Sequence, residues 1–316
     1  MTSRLPRLVE LITLAFLCAS MGRSASCTVA SSGINFGSTS AFAIPQTAIS
    51  GTVTITCTGT TGEVVAYGLG ASAGFSGNYG TREMPFSGNS SYYMQYNLYT
   101  DSGHTQIWGP GGTSPATYVM SGSYTLSSTS AQNQNVTFYA LLPSTNPAGF
   151  TSGSYSDSLT LVLTYQTSHV AFGTINVTFT VNPSCTIAAA SMAFGNYDPI
   201  VTNATTPLNA TATLNVECTY NYTNTYEYIT LSQGNNPGSG STNASPIRRM
   251  TDGTHFLSYG LYTDTGHSVN WNNTTGYSYP GNGSAGTVTV YGQITAGQTA
   301  AAPNPYSDTV VITVSF

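Results

Sequence analysis

From residue 27 onward, apolar and polar positions alternate in short runs, the two-residue period of strands with one buried face. Val53-Thr-Ile55-Thr-Cys57, Val136-Thr-Phe138 and Ile175-Asn-Val177-Thr-Phe179-Thr-Val181 are the clearest runs. Gly-, Asn-, Ser- and Thr-rich stretches separate them, and these residue types supply turns. Long segments rich in Ala, Leu, Glu and Lys, which would read as helices, are missing. The pattern predicts an all-β protein, and 316 residues are enough for two domains with separate cores.

The pattern occurs twice. Cys27-Thr-Val, Asn35-Phe36-Gly37 and Val53-Thr-Ile55-Thr-Cys57 return as Cys185-Thr-Ile, Ala193-Phe194-Gly195 and Leu214-Asn-Val216-Glu-Cys218. Tyr96-Asn-Leu98-Tyr99-Thr100-Asp101, with Gly103-His104 and Trp108, returns as Tyr259-Gly-Leu261-Tyr262-Thr263-Asp264, with Gly266-His267 and Trp271. Tyr155-Ser156-Asp157 returns as Tyr306-Ser307-Asp308. Ordered repetition of this length predicts two homologous domains. Because Trp108, His104 and Asp157 recur in both halves, their main reading is structural, as core, turn and turn-amide residues. Trp108 also stays a candidate for surface binding.

The N-terminus reads as a secretory signal: Arg4 and Arg7, an apolar run from Leu11 to Cys18, then small residues. Residues 1–24 are assigned to it, with cleavage between 22 and 26. Export brings an oxidising compartment, in which Cys27 with Cys57 and Cys185 with Cys218 are the simplest of the three pairings open to the remaining cysteines. A zinc site is the weaker reading, because neither pair has close spacing and no histidine lies near in sequence. No later segment has the 18 or more consecutive apolar residues of a membrane-spanning helix.

Composition narrows the function. The chain has no lysine, six arginines and 11 acids, for a net charge of -5. Loss of the signal takes this to about -7, since Arg4, Arg7 and Arg23 leave with Glu10. Nucleic-acid binding is excluded, because a phosphate backbone calls for clustered cations. No GxSxG elbow, HExxH site, phosphate loop or dinucleotide fingerprint is present, and Asp101, Ser102 and His104 crowd into one turn, too close together for a relay. The expectation is no enzyme, no cofactor and no metal.

Through these repeated residues the sequence resembles the spore coat protein U domain family, whose members include pilins and tip adhesins of archaic chaperone-usher pili. The resemblance runs from Cys27 to about Tyr165 and again from Cys185 to Phe316. It implies two tandem incomplete immunoglobulin-like β-sandwiches, each lacking a last strand that is otherwise supplied by a chaperone or by another subunit. An unfilled groove of this kind exposes backbone hydrogen-bonding groups and apolar faces, so another strand must cover it.

Domain 1 is placed at 25–182 and domain 2 at 183–316. After an F strand at Ser158 to Tyr165, residues 174–182 read as a donor strand given in cis, with Ile175, Val177, Phe179 and Val181 facing the core of domain 1. The corresponding strand of domain 2, Thr309 to Phe316, reaches the last residue, so domain 2 is expected to need a strand in trans. At most a few mature residues precede Cys27, too few to fill a partner's groove. A subunit that accepts without donating belongs at the tip of a pilus.

The implied role is therefore a tip adhesin, exported through the periplasm to the cell surface, that mediates surface attachment and biofilm formation. Its partners would be a periplasmic pilus chaperone, an outer-membrane usher, an adjacent pilin that donates a strand to domain 2, and a host or abiotic surface. The alternative is a non-adhesive coat-like structural protein or a pilus adaptor. Candidate binding residues are Val170 and Phe172, read as part of a distal F–G connection from Gln166 to Thr174, with Ile107, Trp108 and Tyr118. The B–C turn near Gly59 to Gly62 and part of the 107–118 region are expected at that same pole. Phe75 and Tyr79 are further exposed candidates.

Overall fold

The computed structural model describes residues 24–316 apart from 41, 43, 114–115, 145–150, 167, 189, 221–226 and 300–304. The signal segment lies outside the described residues. Domain 1 contains β1 (Ser26–Ser31), β2 (Ile34–Ser40), β3 (Thr47–Thr58), β4 (Val64–Ala71), β5 (Arg82–Phe86) and β6 (Asn89–Tyr99). It continues with β7 (Gly112–Thr113), β8 (Ala116–Thr117), β9 (Met120–Thr125), β10 (Gln132–Leu142), β11 (Gly153–Tyr165) and β12 (His169–Asn182). Domain 2 contains β13 (Cys185–Ile187), β14 (Leu208–Cys218), β15 (Glu227–Leu231), β16 (Arg248–Thr251), β17 (Phe256–Tyr262), β18 (Tyr277–Tyr279), β19 (Ala285–Ile294) and β20 (Ile312–Ser315).

Each domain is an immunoglobulin-like sandwich. In domain 1 one layer runs β1-β3-β10-β6 and the other β2-β12-β11-β4-β9, with β5 joining them through β6. Alternation fixes the burial. Val53, Ile55 and Cys57 on β3 meet Leu159, Leu161 and Leu163 on β11 in one core, while the intervening threonines and serines face outward. The disulfides Cys27–Cys57 and Cys185–Cys218 tie the first strand of each domain to its neighbour at directly opposed positions.

β12 closes domain 1. It pairs antiparallel with β11 along 13 positions and parallel with β2, and Ile175, Val177, Phe179 and Val181 are all buried. Two boundaries differ from the sequence reading. β11 begins at Gly153 rather than Ser158, and β12 begins at His169 rather than at residue 174, with Gln166, just past β11, at φ 47°. Val170 and Phe172 therefore belong to a strand, opposite Thr164 and Val162, and not to a loop.

Domain 2 repeats the plan without a counterpart of β12 among the described residues. The layers are β13-β14-β19-β17-β16 and β18-β15-β20. β20 is shorter than the expected Thr309 to Phe316 and pairs with β15 alone among the described residues. Residues 190–198, which match the segment containing β2, form no ladder.

Candidate functional site

The contrast between the two β11-like strands defines the first site. By the Tyr-Ser-Asp repeat, Leu159, Leu161 and Leu163 correspond to Val310, Ile312 and Val314. The three leucines are at most 1% exposed beneath β12, whereas the domain 2 residues are only half-buried. On the facing wall, Ile34 and Phe36 are buried, but their counterparts Met192 and Phe194 are half-open. Between these walls lies a groove of about 470 Å³ with Met192, Phe194, Val310 and Ile312 on its sides and Leu214, Leu261 and Val290 among its inner residues. An apolar trough beside a strand whose second edge is unpaired among the described residues can take up an extended segment, through backbone hydrogen bonds and alternate side chains.

Buried polar locks hold the frame of both domains. Arg82 donates to the Ser72 carbonyl at 2.9 Å, to the Trp108 carbonyl at 2.6 Å and to Asn97 Oδ1 at 2.6 Å. Arg248 donates to the Ser232 carbonyl at 2.6 Å and to the Trp271 carbonyl at 2.7 Å, and burial lowers its pKa to about 10. These arginines escaped the sequence reading. The available signal was the survival of one arginine at a matching place in each half of a nearly cation-free chain.

Asp157 lies within β11, not ahead of it, and accepts from the Phe75 and Ser158 amides at 3.1 and 2.8 Å. His104 and His267 occupy left-handed turn positions, φ 54° and 53°, after Asp101 and Asp264. The amides that follow hold both carboxyls below the usual range, Gln106 first for Asp101 and Val269 first for Asp264. Among the described residues no cluster of His, Cys, Asp or Glu is arranged to hold a metal. No helix among them is long and apolar enough to cross a membrane.

The second site is the outward face of domain 1. Phe172 and Val170 are 70% and 50% exposed on β12. Next to them on the same face are Val162 and Thr164 of β11, then Gly70 and Gly68 of β4. A recess of about 280 Å³ opens over those glycines, walled by Val162, Val119, Pro110 and Tyr79. The floor of the recess carries no side chain at Gly68 or Gly70, and a Cβ on Gly70 would make ordinary contact with the Gly109 carbonyl oxygen at 3.4 Å. Phe75 is also exposed, on the 74–76 turn above Asp157.

Other candidates separate. Trp108 is fully buried, donates from Nε1 to the Leu69 carbonyl at 2.9 Å and packs on Phe138, so it is removed from the surface set. Ile107 is half-buried and bridges to Tyr99. Tyr118 is exposed, but it precedes Met120, which is opposite Leu69, several residues along β4 from the pole. The described parts of the 107–118 segment thus lie along the side of the sheet. At the pole itself, the 59–63 turn meets Gln166 and Leu126: Gln166 donates to the Ala66 carbonyl and to the Glu63 carboxylate, and Gly62 donates to the Leu126 carbonyl.

At the opposite end of domain 1, Ser152 donates to the Tyr220 carbonyl of domain 2 at 3.0 Å, and the Tyr92 and Tyr220 rings lie 5.5 Å apart.

A model of the Spore Coat Protein U domain family matches residues 13–162 and 171–313. Protein U of Myxococcus xanthus is 40% identical over 154 residues, covering 46% of this chain and 85% of that protein. Among solved structures, a chaperone-tip adhesion subunit pre-assembly complex (CsuC-CsuE) from archaic chaperone-usher Csu pili of Acinetobacter baumannii matches with 15% identity and TM-score 0.48. That match covers 92% of this chain and 100% of the other. The CupB6 tip adhesin of Pseudomonas aeruginosa matches with 11% identity and TM-score 0.36, covering 92% and 93%.

Proposed function

The chain belongs to the Spore Coat Protein U domain family, and from that premise we propose that it is the tip adhesin of an archaic chaperone-usher pilus. One observation carries the reading: domain 1 is closed by its own β12, whereas the matching groove of domain 2 is open among the described residues. A closed domain takes no strand from another subunit, so domain 1 is the terminal module and domain 2 the joint to the shaft. During export a periplasmic chaperone occupies the domain 2 groove. The usher then exchanges it for the extension of the adjacent pilin. Phe172, Val170 and the glycine-floored recess beside them form the adhesive face toward a host or abiotic surface, where an exposed apolar patch on a polar chain with few charges adheres without cationic help.

Co-expression with the periplasmic chaperone, followed by crosslinking from probes at Ile312 and at Leu161, tests this reading. Capture through Ile312 alone is expected. Capture through both positions, or through neither, contradicts it and favours a coat-like structural protein or a pilus adaptor.

A further inference from the structure

One turn is built alike in the two domains and carries a different side chain in each. In domain 2, Gly234 at φ 83° is followed by Asn235, whose amide donates to Asp308 Oδ1 at 3.0 Å. In domain 1, Gly74 at φ 68° is followed by Phe75, whose amide donates to Asp157 Oδ1 at 3.1 Å. Each glycine lies so close to its aspartate that a Cβ would run into the carboxylate. The glycine and the aspartate recur because they frame the sandwich. The phenyl ring does not recur: it stands where domain 2 has an amide, is 50% exposed and lies outside the core of domain 1.

Phe75 borders a recess of about 670 Å³, together with Pro85 and the outward side chains of two cross-strand pairs, Ser158 opposite Asn176 and Ser156 opposite Thr178. Those four polar residues are all exposed. Strand geometry sets the two pairs roughly 7 Å apart along the sheet, with about 5 Å across each pair. That is the scale on which hydroxyls are spread around a single pyranose ring. Ser158 donates to Asn176 Oδ1 at 3.3 Å, which leaves the amide nitrogen to donate and the serine oxygen to accept.

Charge and topology narrow the ligand. Asp157 is the one ionisable residue in the lining, and it is buried and fully engaged, by the Tyr96 hydroxyl on Oδ2 and the Phe75 and Ser158 amides on Oδ1. An anion therefore meets no counter-charge, and a cation meets no open carboxylate. An extended peptide would need a strand edge, but here β12 is paired with β11 on one side and with β2 on the other. What remains is an apolar ring beside neutral donors and acceptors, a combination that fixes a hydroxylated ligand with one apolar face.

We propose that this recess binds a neutral saccharide, with the C–H face of one pyranose ring stacked on Phe75 and its hydroxyls on Ser156, Ser158, Asn176 and Thr178. The site is distinct from Val170 and Phe172, from which the Thr160–Thr174 pair separates it. It does not depend on the pilus reading, because every residue in it belongs to domain 1.

Saturation-transfer NMR on the intact protein tests the site, with the methyl glycosides of glucose, galactose, mannose and N-acetylglucosamine as probes and that of N-acetylneuraminic acid as the charged comparison. Isothermal titration supplies the affinities. At least one neutral glycoside is expected to bind with Kd of about millimolar order, saturated most strongly at its ring C–H protons. Phe75→Ala should weaken it by about tenfold or more, Phe75→Tyr should restore it, and Asn176→Ala should weaken it severalfold. Near-UV circular dichroism confirms the fold of each variant, and Val170→Ser with Phe172→Ser should leave the affinity unchanged. Failure of all four neutral glycosides to bind, binding that survives Phe75→Ala and Asn176→Ala, or tighter binding of the charged glycoside would each overturn the assignment.

Discussion

The hydroxyl of Tyr96 donates to Asp157 Oδ2 across 2.7 Å, joining β6 to β11 inside the core of domain 1. Tyr259 and Asp308 repeat the bond at 2.7 Å in domain 2. The bond bridges the two layers of each sandwich, and Asp157 also gathers the turn that carries Phe75. Removing the phenol leaves a buried carboxylate short of a donor. Tyr96→Phe should cost ~1–3 kcal/mol in urea unfolding.

The same residues set the response to alkali. Burial first, then the Asp157 charge, raises the Tyr96 hydroxyl well above its ordinary value, and burial raises Tyr155 to about 12. A tyrosine whose pKa is raised on folding contributes stability that is complete below the unfolded value near ~10 and is lost as pH rises through the folded value. Unfolding free energy should therefore fall above pH ~10, and the fall should be shallower in Tyr96→Phe. Urea titrations at several alkaline pH values check this.

Arg82→Lys should be as damaging as a core deletion despite keeping the charge. The guanidinium serves the Ser72 and Trp108 carbonyls and Asn97 together, a fork that a single ammonium does not reproduce. A loss of ~2–4 kcal/mol is expected from the unpaired buried acceptors, read from the midpoint of denaturant unfolding.

Much of this architecture is legible in the chain itself. The two-residue period marks β3, β11 and the inner half of β12, and the ordered repeat marks two domains, because both follow from which faces must be buried. The start of β12 was hidden for a physical reason. At Val170-Ala171-Phe172-Gly173 the large side chains point outward, while small Ala171 and Gly173 face inward, close to β1, so the burial pattern is inverted. Trp108 was ambiguous because an aromatic suits a core as well as a binding surface. Its recurrence as Trp271 was the signal for the core.

Reduction should act on each first strand. Breaking Cys27–Cys57 or Cys185–Cys218 releases loops with sequence separations of 30 and 33. On the chain-entropy model each is worth roughly 3–4 kcal/mol. Paired Cys→Ser variants, one domain at a time, should lower the unfolding midpoint of that domain.

Phe172→Ser with Val170→Ser should separate adhesion from folding. Both side chains face outward and are exposed, so stability should change by no more than ~0.5 kcal/mol per site. Attachment to hydrophobic plastic should drop severalfold. Unchanged attachment would move the adhesive role away from this face.

Amide hydrogen exchange on the intact, chaperone-free protein tests the central claim, that one domain is closed and the other open. Amides of β11 and β12 should be strongly protected, those of β20 should exchange rapidly, and a bound donor peptide should slow β20 alone. Equal protection of β20 and β11 without any partner would contradict the claim.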